Sequence, residues 1–318
     1  MNRRTLLPVL AVLAGVGSGC SRPRAELEPG VVLQGAPAAT RGHVTDHVVV
    51  ISVDGLRPDA IAKFDATTLR RLMREGRHSL TAQTISNSKT LPSHTSMLTG
   101  VEEDVHGITW NSDRTGEFGY VKVPTVFGLA TDAGFTTAAF FSKPKFHHVA
   151  PPGTVHHVRG PAGGVIPWNS GKTIDMLADY LSEATPNLLF VHLADADFAG
   201  HNFGWMGWWY GMAVRESDNA VARVLALADK AFGRGGYTVI VTSDHGGHGK
   251  SHGTTDPLDM TIPWIVWGAG VRPGGELSGI RTMDTAATAL WLLNIATPRD
   301  WVGRVITAAF EPTVAAGR

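Results

Sequence analysis

The apolar run HVVVISVD at residues 47–54 constrains the fold most strongly. A β-branched segment without a polar face is typical of a strand that is buried on both faces of a parallel sheet. Similar runs occupy residues 136–141, 187–192, 237–242 and 262–267. Helical segments are predicted at residues 66–75, 123–133, 171–184, 212–232 and 282–293. This alternation predicts an α/β fold with a doubly wound, mostly parallel central sheet flanked by helices.

The first 20 residues are typical of a signal peptide. Two arginines precede a short apolar run at residues 6–16, which is too brief to span a membrane comfortably. Cys20 is the single cysteine of the chain, and it resembles the lipidated cysteine of a bacterial lipobox. Gly17 departs from the aliphatic residue usual in that motif, so ordinary signal cleavage is the alternative. Either event predicts export to a bacterial cell envelope, where the protein is lipid-anchored to the membrane, periplasmic or extracellular.

Composition and charge limit the possible organisation and function of the rest of the chain. Residues 21–45 are rich in Pro, Gly, Ala and charge without periodicity, which predicts a flexible tether. Residues 46–310 are then predicted to be a single domain, and residues 311–318 a tail. The chain carries 28 acidic and 28 basic residues. This balance argues against binding to long nucleic acids, which needs a basic face, and it leaves the oligomeric state open.

Acidic and imidazole side chains follow the predicted strands. Asp54 ends the first strand, and Asp244 and His245 follow the strand at 237–242. Asp54 precedes a glycine and is by itself compatible with an ordinary turn. In doubly wound sheets, however, ligands collect at the carboxyl ends of the strands. We therefore expect these side chains to lie at one edge of the sheet.

Two further segments offer ligands of the same kind. Asp197 and His201 have i, i+4 spacing, which places them on one face if the segment is helical; Asp195 is the alternative acid. The segment 244–253 contains three histidines and four glycines, a composition that fits a site loop better than a helix or strand. Besides His245, this loop offers His248 and His252.

Thr90 lies in SKTLPSH at residues 88–94. A threonine hydroxyl needs a base or a metal to act as a nucleophile near neutral pH. The Asp and His side chains supply the ligand types of a two-metal site, so we interpret Thr90 as a metal-activated nucleophile. Asn111 is either a turn residue or a donor to a phosphoryl oxygen. Lys143 and Lys145 are either a solvated pair or contacts for an anionic substrate.

Aromatic residues crowd the segment that follows His201. They are Phe203, Trp205, Trp208, Trp209 and Tyr210. Two interpretations explain such residues equally: they pack in the core, or they form an apolar wall for the leaving group of a substrate. Phe203 and Trp205 are the candidate substrate contacts among them.

Together these motifs resemble the alkaline phosphatase superfamily and, within it, the nucleotide pyrophosphatase or type I phosphodiesterase branch. They occur in the family's order: VDG at 53–55, KTLPSH at 89–94, HGI at 106–108, Asp197 to His201, TSDHG at 242–246 and HG at 252–253. The resemblance implies two divalent metal ions, usually zinc, although the ligand types also allow manganese. One ion would be held by Asp54, Thr90, Asp244 and His245. The other would be held by Asp197, His201 and His252, while Asn111 would bind phosphate.

The resemblance also implies a hydrolase that cleaves phosphodiester or pyrophosphate bonds of a small phosphorylated substrate through a phosphothreonine. Sulfatases of the superfamily carry Cys or Ser followed by x-Pro-x-Arg, whereas Thr90 and His94 occupy the first and last of these positions here. The region between His245 and His252 is much shorter than in animal members, whose insertion contributes to substrate choice. Three alternatives stay open: a phosphomonoesterase, a phosphonoacetate hydrolase-like enzyme that binds the substrate carboxylate through Lys143 and Lys145, and an inactive binding lipoprotein.

Overall fold

The computed structural model describes residues 44–164 and 166–311. Its strands are β1 (His47–Val53), β2 (Arg77–Gln83), β3 (Thr137–Phe140), β4 (His157–Arg159), β5 (Leu188–Leu193), β6 (Tyr237–Thr242) and β7 (Thr261–Gly268). Its helices are α1 (Pro58–Lys63), α2 (Thr67–Glu75), α3 (Thr90–Thr99), α4 (Glu103–His106), α5 (Thr115–Phe118), α6 (Val126–Asp132), α7 (Ser170–Leu181), α8 (Asp195–Phe203), α9 (Trp208–Phe232), α10 (Pro257–Met260) and α11 (Asp284–Leu292). Short 3-10 helices lie at Pro144–Val149 and Thr307–Ala309. The predicted signal peptide with Cys20, residues 21–43 of the predicted tether and residues 312–318 of the predicted tail lie outside the described residues.

The strands form one sheet in the order β2-β7-β6-β1-β5-β3-β4. Strands β6, β1, β5, β3 and β4 run parallel to one another. Strand β7 instead pairs antiparallel with both β6 and β2. The prediction of a mostly parallel α/β sheet flanked by helices is therefore confirmed.

Strand β1 contributes to two cores, because successive side chains of a strand point to opposite faces. Val48 and Val50 pack on the face covered by α3, α6 and α11. Val49 and Ile51 pack on the face covered by α2, α7 and α9. Since both faces are buried, the strand needs no polar alternation. No helix in the described part of the chain is long and apolar enough to cross a membrane.

Most predicted elements agree with the observed ones to within a few residues. The sequence does not predict strands β2 and β4, the short helices α1, α4, α5 and α10, or the site helices α3 and α8. All ten side chains of α3 are buried, so the helix lacks the apolar stripe that reveals an amphipathic helix. Helix α8 contains Gly200, which lowers helix propensity. A Cβ at Gly200 would lie 2.6 Å from the ring of Trp205, so close packing explains the glycine there.

Candidate active site

The neighbouring strands β6, β1 and β5 each deliver one buried aspartate at their carboxyl ends. Asp54 follows β1, Asp244 follows β6, and Asp197 lies in the first turn of α8 after β5. The amide of Asp197 donates to the carbonyl of Asp54 at 3.0 Å, and the amide of Gly55 donates to Oδ1 of Asp244 at 3.1 Å. Gly55 has a φ of 71°, and a Cβ there would lie 3.0 Å from Asp197. The structure thus brings acids from three separate segments together.

Four of the predicted ligands form a first cluster around His245. Nε2 of His245 lies 3.3 Å from Oδ1 of Asp54 and 3.2 Å from Oδ2 of Asp244. Oγ1 of Thr90 lies 3.4 Å from the same nitrogen. Nδ1 of His245 faces the Gly246 carbonyl at 2.8 Å, which directs Nε2 into the cluster. All four ligand candidates are buried.

Asp197, His201 and His252 form a second cluster beside the first. Nε2 of His201 is 3.3 Å from Oδ1 of Asp197, and Nε2 of His252 is 3.5 Å from that oxygen. The two Nε2 atoms are 3.1 Å apart. Their Nδ1 atoms face backbone carbonyls, of Lys250 for His201 and of Ser88 for His252. Such outer contacts orient an imidazole as a metal ligand through Nε2.

The alternative residues for these positions lie elsewhere. Nδ1 of His248 pairs with Oδ1 of Asp259 at 2.7 Å. Asp195 accepts hydrogen bonds from the backbone amide and the hydroxyl of Ser170 at the start of α7. The second cluster therefore contains Asp197 and His252 rather than Asp195 and His248.

The donor set fits divalent metal ions. Three buried carboxylate oxygens of the clusters face imidazole nitrogens at 3.2 to 3.5 Å but form no hydrogen bond of good geometry among the described residues: Asp54 Oδ1, Asp197 Oδ1 and Asp244 Oδ2. A buried, unpaired carboxylate oxygen is costly unless a cation satisfies it. Two groups of ligand atoms each lie within 4.8 Å: Asp54, Asp244 and His245, and Asp197, His245 and His252. Nitrogen and oxygen donors without thiolate suit zinc and manganese alike.

Lys143 makes ion pairs with both clusters. Its Nζ lies 2.6 Å from Oδ2 of Asp54 and 2.6 Å from Oδ2 of Asp197. Burial alone would raise the pKa of Asp54, but the Lys143 ammonium and two imidazoles hold it well below its usual range. Burial would likewise lower the pKa of Lys143, but Asp197 and Asp54 raise it above its usual value. Lys143 is therefore charged and offsets part of the negative charge of the site.

The histidines of the clusters differ in their proton affinity. Burial would lower the pKa of His245, but Asp244 and Asp54 outweigh it and raise that pKa to about 9. Burial, with the nearby His245, lowers the pKa of His252 to about 4. The bond to Asp197 raises the pKa of His201. Cation binding would have to displace the proton from His245, because a metal ligand must be neutral imidazole.

A cavity of about 400 Å³ lies in front of the two clusters. Its wall includes Thr90, Asn111, Lys143, Lys145, Phe198 and His201. Oδ1 of Asn111 accepts a hydrogen bond from the Leu91 amide at 2.9 Å and one from Nζ of Lys145 at 3.0 Å. Burial and the neighbouring Lys143 lower the pKa of Lys145 to about 8. Two positively charged groups and an amide thus stand beside the Thr90 hydroxyl.

The two aromatic candidates do not line this cavity. Trp205 is buried, and its Nε1 donates to the carbonyl of Gly55 at 3.0 Å. Its ring packs edge-on against His201 at a centroid distance of 5.2 Å. Phe203, at the end of α8, is exposed to solvent. Trp205 thus supports the turn after β1 and the second cluster, a role that its sequence context does not reveal.

His94 is the site residue that sequence reasoning misses. It lies one helical turn after Thr90 in α3 and is fully buried. Its Nδ1 lies 2.8 Å from the carbonyl oxygen of Thr90 and 3.3 Å from Oδ2 of Asp244, and its Nε2 lies 2.7 Å from Oγ of Ser52. His94 therefore links helix α3 to the first cluster. The i, i+4 spacing from Thr90 is the signal that could have identified it.

His192 is a second buried partner of the site. It lies in β5, and its Nε2 is 2.9 Å from Oδ2 of Asp54. Burial lowers the pKa of His192 to about 4, so it is neutral near pH 7. In the sequence, a histidine near the end of an otherwise apolar strand is the signal that could have identified it.

Comparisons with known proteins agree with this geometry. The profile of the family "Type I phosphodiesterase / nucleotide pyrophosphatase" matches residues 48–259. The chain belongs to this family. GPI ethanolamine phosphate transferase 1 of Saccharomyces cerevisiae is 26% identical over 160 residues, which are 44% of this chain and 17% of that protein. The chain therefore spans less than a fifth of the length of this curated relative.

Solved structures show the same fold at low sequence identity. Murine ectonucleotide pyrophosphatase / phosphodiesterase 5 is 15% identical, with a TM-score of 0.67 over 79% of this chain and 96% of that one. An inactive threonine-to-alanine variant of the mouse protein has been solved in complex with AMP. The alkaline phosphatase PafA is also 15% identical, with a TM-score of 0.69 over 84% of this chain and 99% of that one. These structures show that the chain shares their fold, and the profile match confirms the predicted membership of the type I phosphodiesterase / nucleotide pyrophosphatase family.

Proposed function

We propose that the protein is a two-metal hydrolase that cleaves phosphodiester or pyrophosphate bonds of a small phosphorylated molecule through a phosphothreonine at Thr90. The observation that carries this proposal is the position of Oγ1 of Thr90. It lies at the N-terminus of α3, 3.4 Å from Nε2 of His245 and at the wall of the cavity. A threonine that only filled the core would not face a cavity beside the buried carboxylates of two potential metal-ligand clusters.

The chemistry follows from the residues around this hydroxyl. Two divalent ions held by the clusters would supply Lewis-acid stabilisation of the attacking and departing oxygens. Oγ1 of Thr90 gives its proton to solvent and attacks phosphorus, while the bond from phosphorus to the leaving-group oxygen breaks and that oxygen takes up a proton from solvent. Water then attacks the phosphothreonine, the bond to Oγ1 breaks, and Thr90 regains a proton as the phosphorylated product leaves. The positive end of the α3 dipole and the Asn111 amide would stabilise charge on the phosphoryl oxygens.

A phosphomonoesterase is the second candidate function, and the two lysines of the cavity favour it. Lys143 is charged, and Lys145, with a pKa of about 8, is mostly charged near neutral pH. A phosphomonoester or a pyrophosphate carries more negative charge than a diester and would use both ammonium groups. The complex of the mouse relative with AMP supports nucleotides as the first substrates to test.

The test compares hydrolysis of a chromogenic phosphodiester, a phosphomonoester, a sulfate ester and phosphonoacetate by the full chain with zinc or manganese. We expect Thr90→Ala to reduce turnover by on the order of a thousandfold while two metals remain bound. Thr99→Ala is the matched control, because it removes a buried hydroxyl from the other end of α3. Undiminished turnover by Thr90→Ala would falsify the nucleophile assignment. Turnover of none of the substrates with both metals bound would favour the inactive binding protein.

The proposal includes export and a lipid anchor at Cys20, which the signal-peptide pattern of residues 1–20 supports. In a bacterial host, the full chain should sediment with membranes and resist extraction with salt. Cys20→Ala should shift the protein to the salt-soluble fraction. A wild-type protein that salt releases as readily as the variant would indicate ordinary signal cleavage without a lipid.

A further inference from the structure

An exposed aromatic surface lies beside the candidate site and has no role in the chemistry above. It consists of Phe203 at the end of α8 and of Trp208, Trp209 and Met212 in the first turns of α9, each between 44 and 66% exposed. The ring centroids of Trp208 and Trp209 are 4.5 Å apart, and those of Phe203 and Trp209 are 5.4 Å apart. Large exposed apolar side chains that lie next to one another often mark an interaction site.

Positive charge borders the aromatic surface. Nζ of Lys63 donates to the Met206 carbonyl at 3.0 Å, and Nζ of Lys250 donates to the Asn202 carbonyl at 2.9 Å. Across residues 44–164 and 166–311, neither ammonium group forms a salt bridge with a carboxylate. The sequence from 198 to 215 contains no Asp or Glu. The surface thus combines aromatic rings with two ammonium groups that form no salt bridge in the described part of the chain.

Helix α8 connects this surface to the catalytic cavity. Phe198 and His201 line the cavity, and Phe203 ends the same helix as part of the aromatic surface. Phe203 lies five positions after Phe198, which corresponds to roughly 7.5 Å along a helix axis. A partner bound at the aromatic surface would therefore lie next to the cavity.

We propose that the aromatic surface binds the headgroup region of an anionic lipid bilayer and holds the cavity against phosphoesters carried by lipids. Tryptophan is enriched at the boundary between water and hydrocarbon, and lysines near the surface are attracted to anionic headgroups. The substrate half of this inference rests on the proposed function, whereas the binding half does not. A tether of residues 21–43 from a lipid on Cys20 would reach at most roughly 80 Å, which keeps the domain near the same membrane.

The test measures sedimentation of the full chain with vesicles, using Cys20→Ala throughout to remove the predicted lipid. One set of vesicles contains phosphatidylcholine alone, and the other also contains phosphatidylglycerol. We expect stronger binding to the anionic vesicles, and a reduction of about ten- to hundredfold when Trp208→Ser and Trp209→Ser are combined. Phe118→Ser is the matched control, because Phe118 is an exposed aromatic that packs against Trp110 and Arg114 instead.

A charge variant separates the two components of binding. Lys63→Gln should weaken binding to the anionic vesicles and leave binding to phosphatidylcholine unchanged. Lys230→Gln, on the exposed C-terminal part of α9, changes the net charge equally and should have no such effect. Equal losses in the two variants would mean that net charge, rather than the aromatic surface, drives the attraction.

Activity measurements separate this inference from the proposed function. The double tryptophan variant should hydrolyse a soluble chromogenic ester like the parent, but a phosphodiester embedded in vesicles at least about tenfold more slowly. Equal vesicle binding by the variant and the parent would overturn the inference. An equal loss of activity on the soluble ester would also overturn it, because the tryptophans would then form a wall of the substrate site. A dimer that light scattering detects only for the parent would overturn it as well. Vesicle binding that needs the tryptophans, without hydrolysis of any substrate, would reject the proposed function alone.

Discussion

Trp205 and the pair Trp208–Trp209 are three residues apart, yet they belong to opposite kinds of environment. Trp205 is 7% exposed and donates its indole N–H to Gly55, whereas Trp208 is 66% exposed. The difference arises from tertiary partners. Gly200 and Gly247 both lie against the Trp205 ring, where a Cβ on either would come within 2.6 Å. The buried end of the sheet is thus closely packed around the candidate site, while the start of α9 leaves its aromatic rings in solvent.

The two regions also differ in the partners of their charged side chains. At the buried end, the carboxylates and imidazoles contact one another and Lys143. At the aromatic surface, the Lys63 and Lys250 ammonium groups donate to backbone carbonyls and form no salt bridge among the described residues. Substitutions at the buried end should therefore affect metal binding, turnover and folding together. Substitutions at the aromatic surface should affect none of these in dilute solution.

Asp54→Asn should have the largest effect. It removes a charge that faces Lys143, His192 and His245 at once, and it takes a carboxylate from the first cluster. We expect a loss of turnover on the order of a thousandfold or more and a metal content below two by mass spectrometry. Asp59→Asn is the control, since Asp59 forms an exposed ion pair with Arg57. Two tightly bound metals in Asp54→Asn would show that this carboxylate is not a ligand.

Acid should destabilise the buried region through His106. Burial lowers its pKa to about 4, and its ring bonds to Ser96 in α3 and to the Ile108 amide. The unfolded chain, with a histidine pKa near 6.5, then binds more protons than the folded chain between pH 6.5 and 4. Stability is therefore lost as the pH falls through that window, by up to about 3 kcal/mol from this group. Urea unfolding of His106→Gln should show a shallower loss than the parent.

The partly exposed His248 should change stability with pH in the opposite direction. Asp259 raises the pKa of His248, so its contribution is complete below the pKa of the unfolded chain and is lost as the pH rises through the folded value. His248→Gln should therefore reduce stability more at acidic than at alkaline pH. Parallel pH profiles for the two histidine variants would contradict the assignment of burial as the cause at His106.

The link made by His94 should be worth about ten- to hundredfold in metal affinity. The side-chain amide of Asn reproduces a donor near Nδ1, toward Thr90 and Asp244, whereas that of Gln reproduces one near Nε2, toward Ser52. We expect His94→Asn to retain metal affinity within about threefold and His94→Gln to show the full loss. Metal titration with a competing chelator measures both. Equal losses would indicate that His94 only fills space.

The sequence predicts the parallel strands β1, β3, β5 and β6 and the acids that follow three of them, because apolar β-branched runs and strand ends are local features. It predicts the ligand residues largely through family resemblance, and the structure gathers them in two clusters. Local patterns miss α3, whose side chains are all buried, and His94, whose partners Ser52 and Asp244 are remote in sequence. They also cannot separate Trp205 from Trp209, since burial there depends on glycines that approach from other segments.

Replacing one tryptophan at a time by phenylalanine tests this last distinction with the smallest expected effect. Trp205→Phe removes the N–H bond to Gly55 and some ring volume, but the Gly55 carbonyl still accepts from the Tyr210 hydroxyl at 2.9 Å. Because that acceptor is not orphaned, we expect a loss of only about 1–2 kcal/mol in the free energy of unfolding. Trp209→Phe should change it by less than about 0.5 kcal/mol, since its ring is already in solvent. Equal losses in urea unfolding would mean that the aromatic surface is packed in solution, and that the contrast between the two regions does not hold.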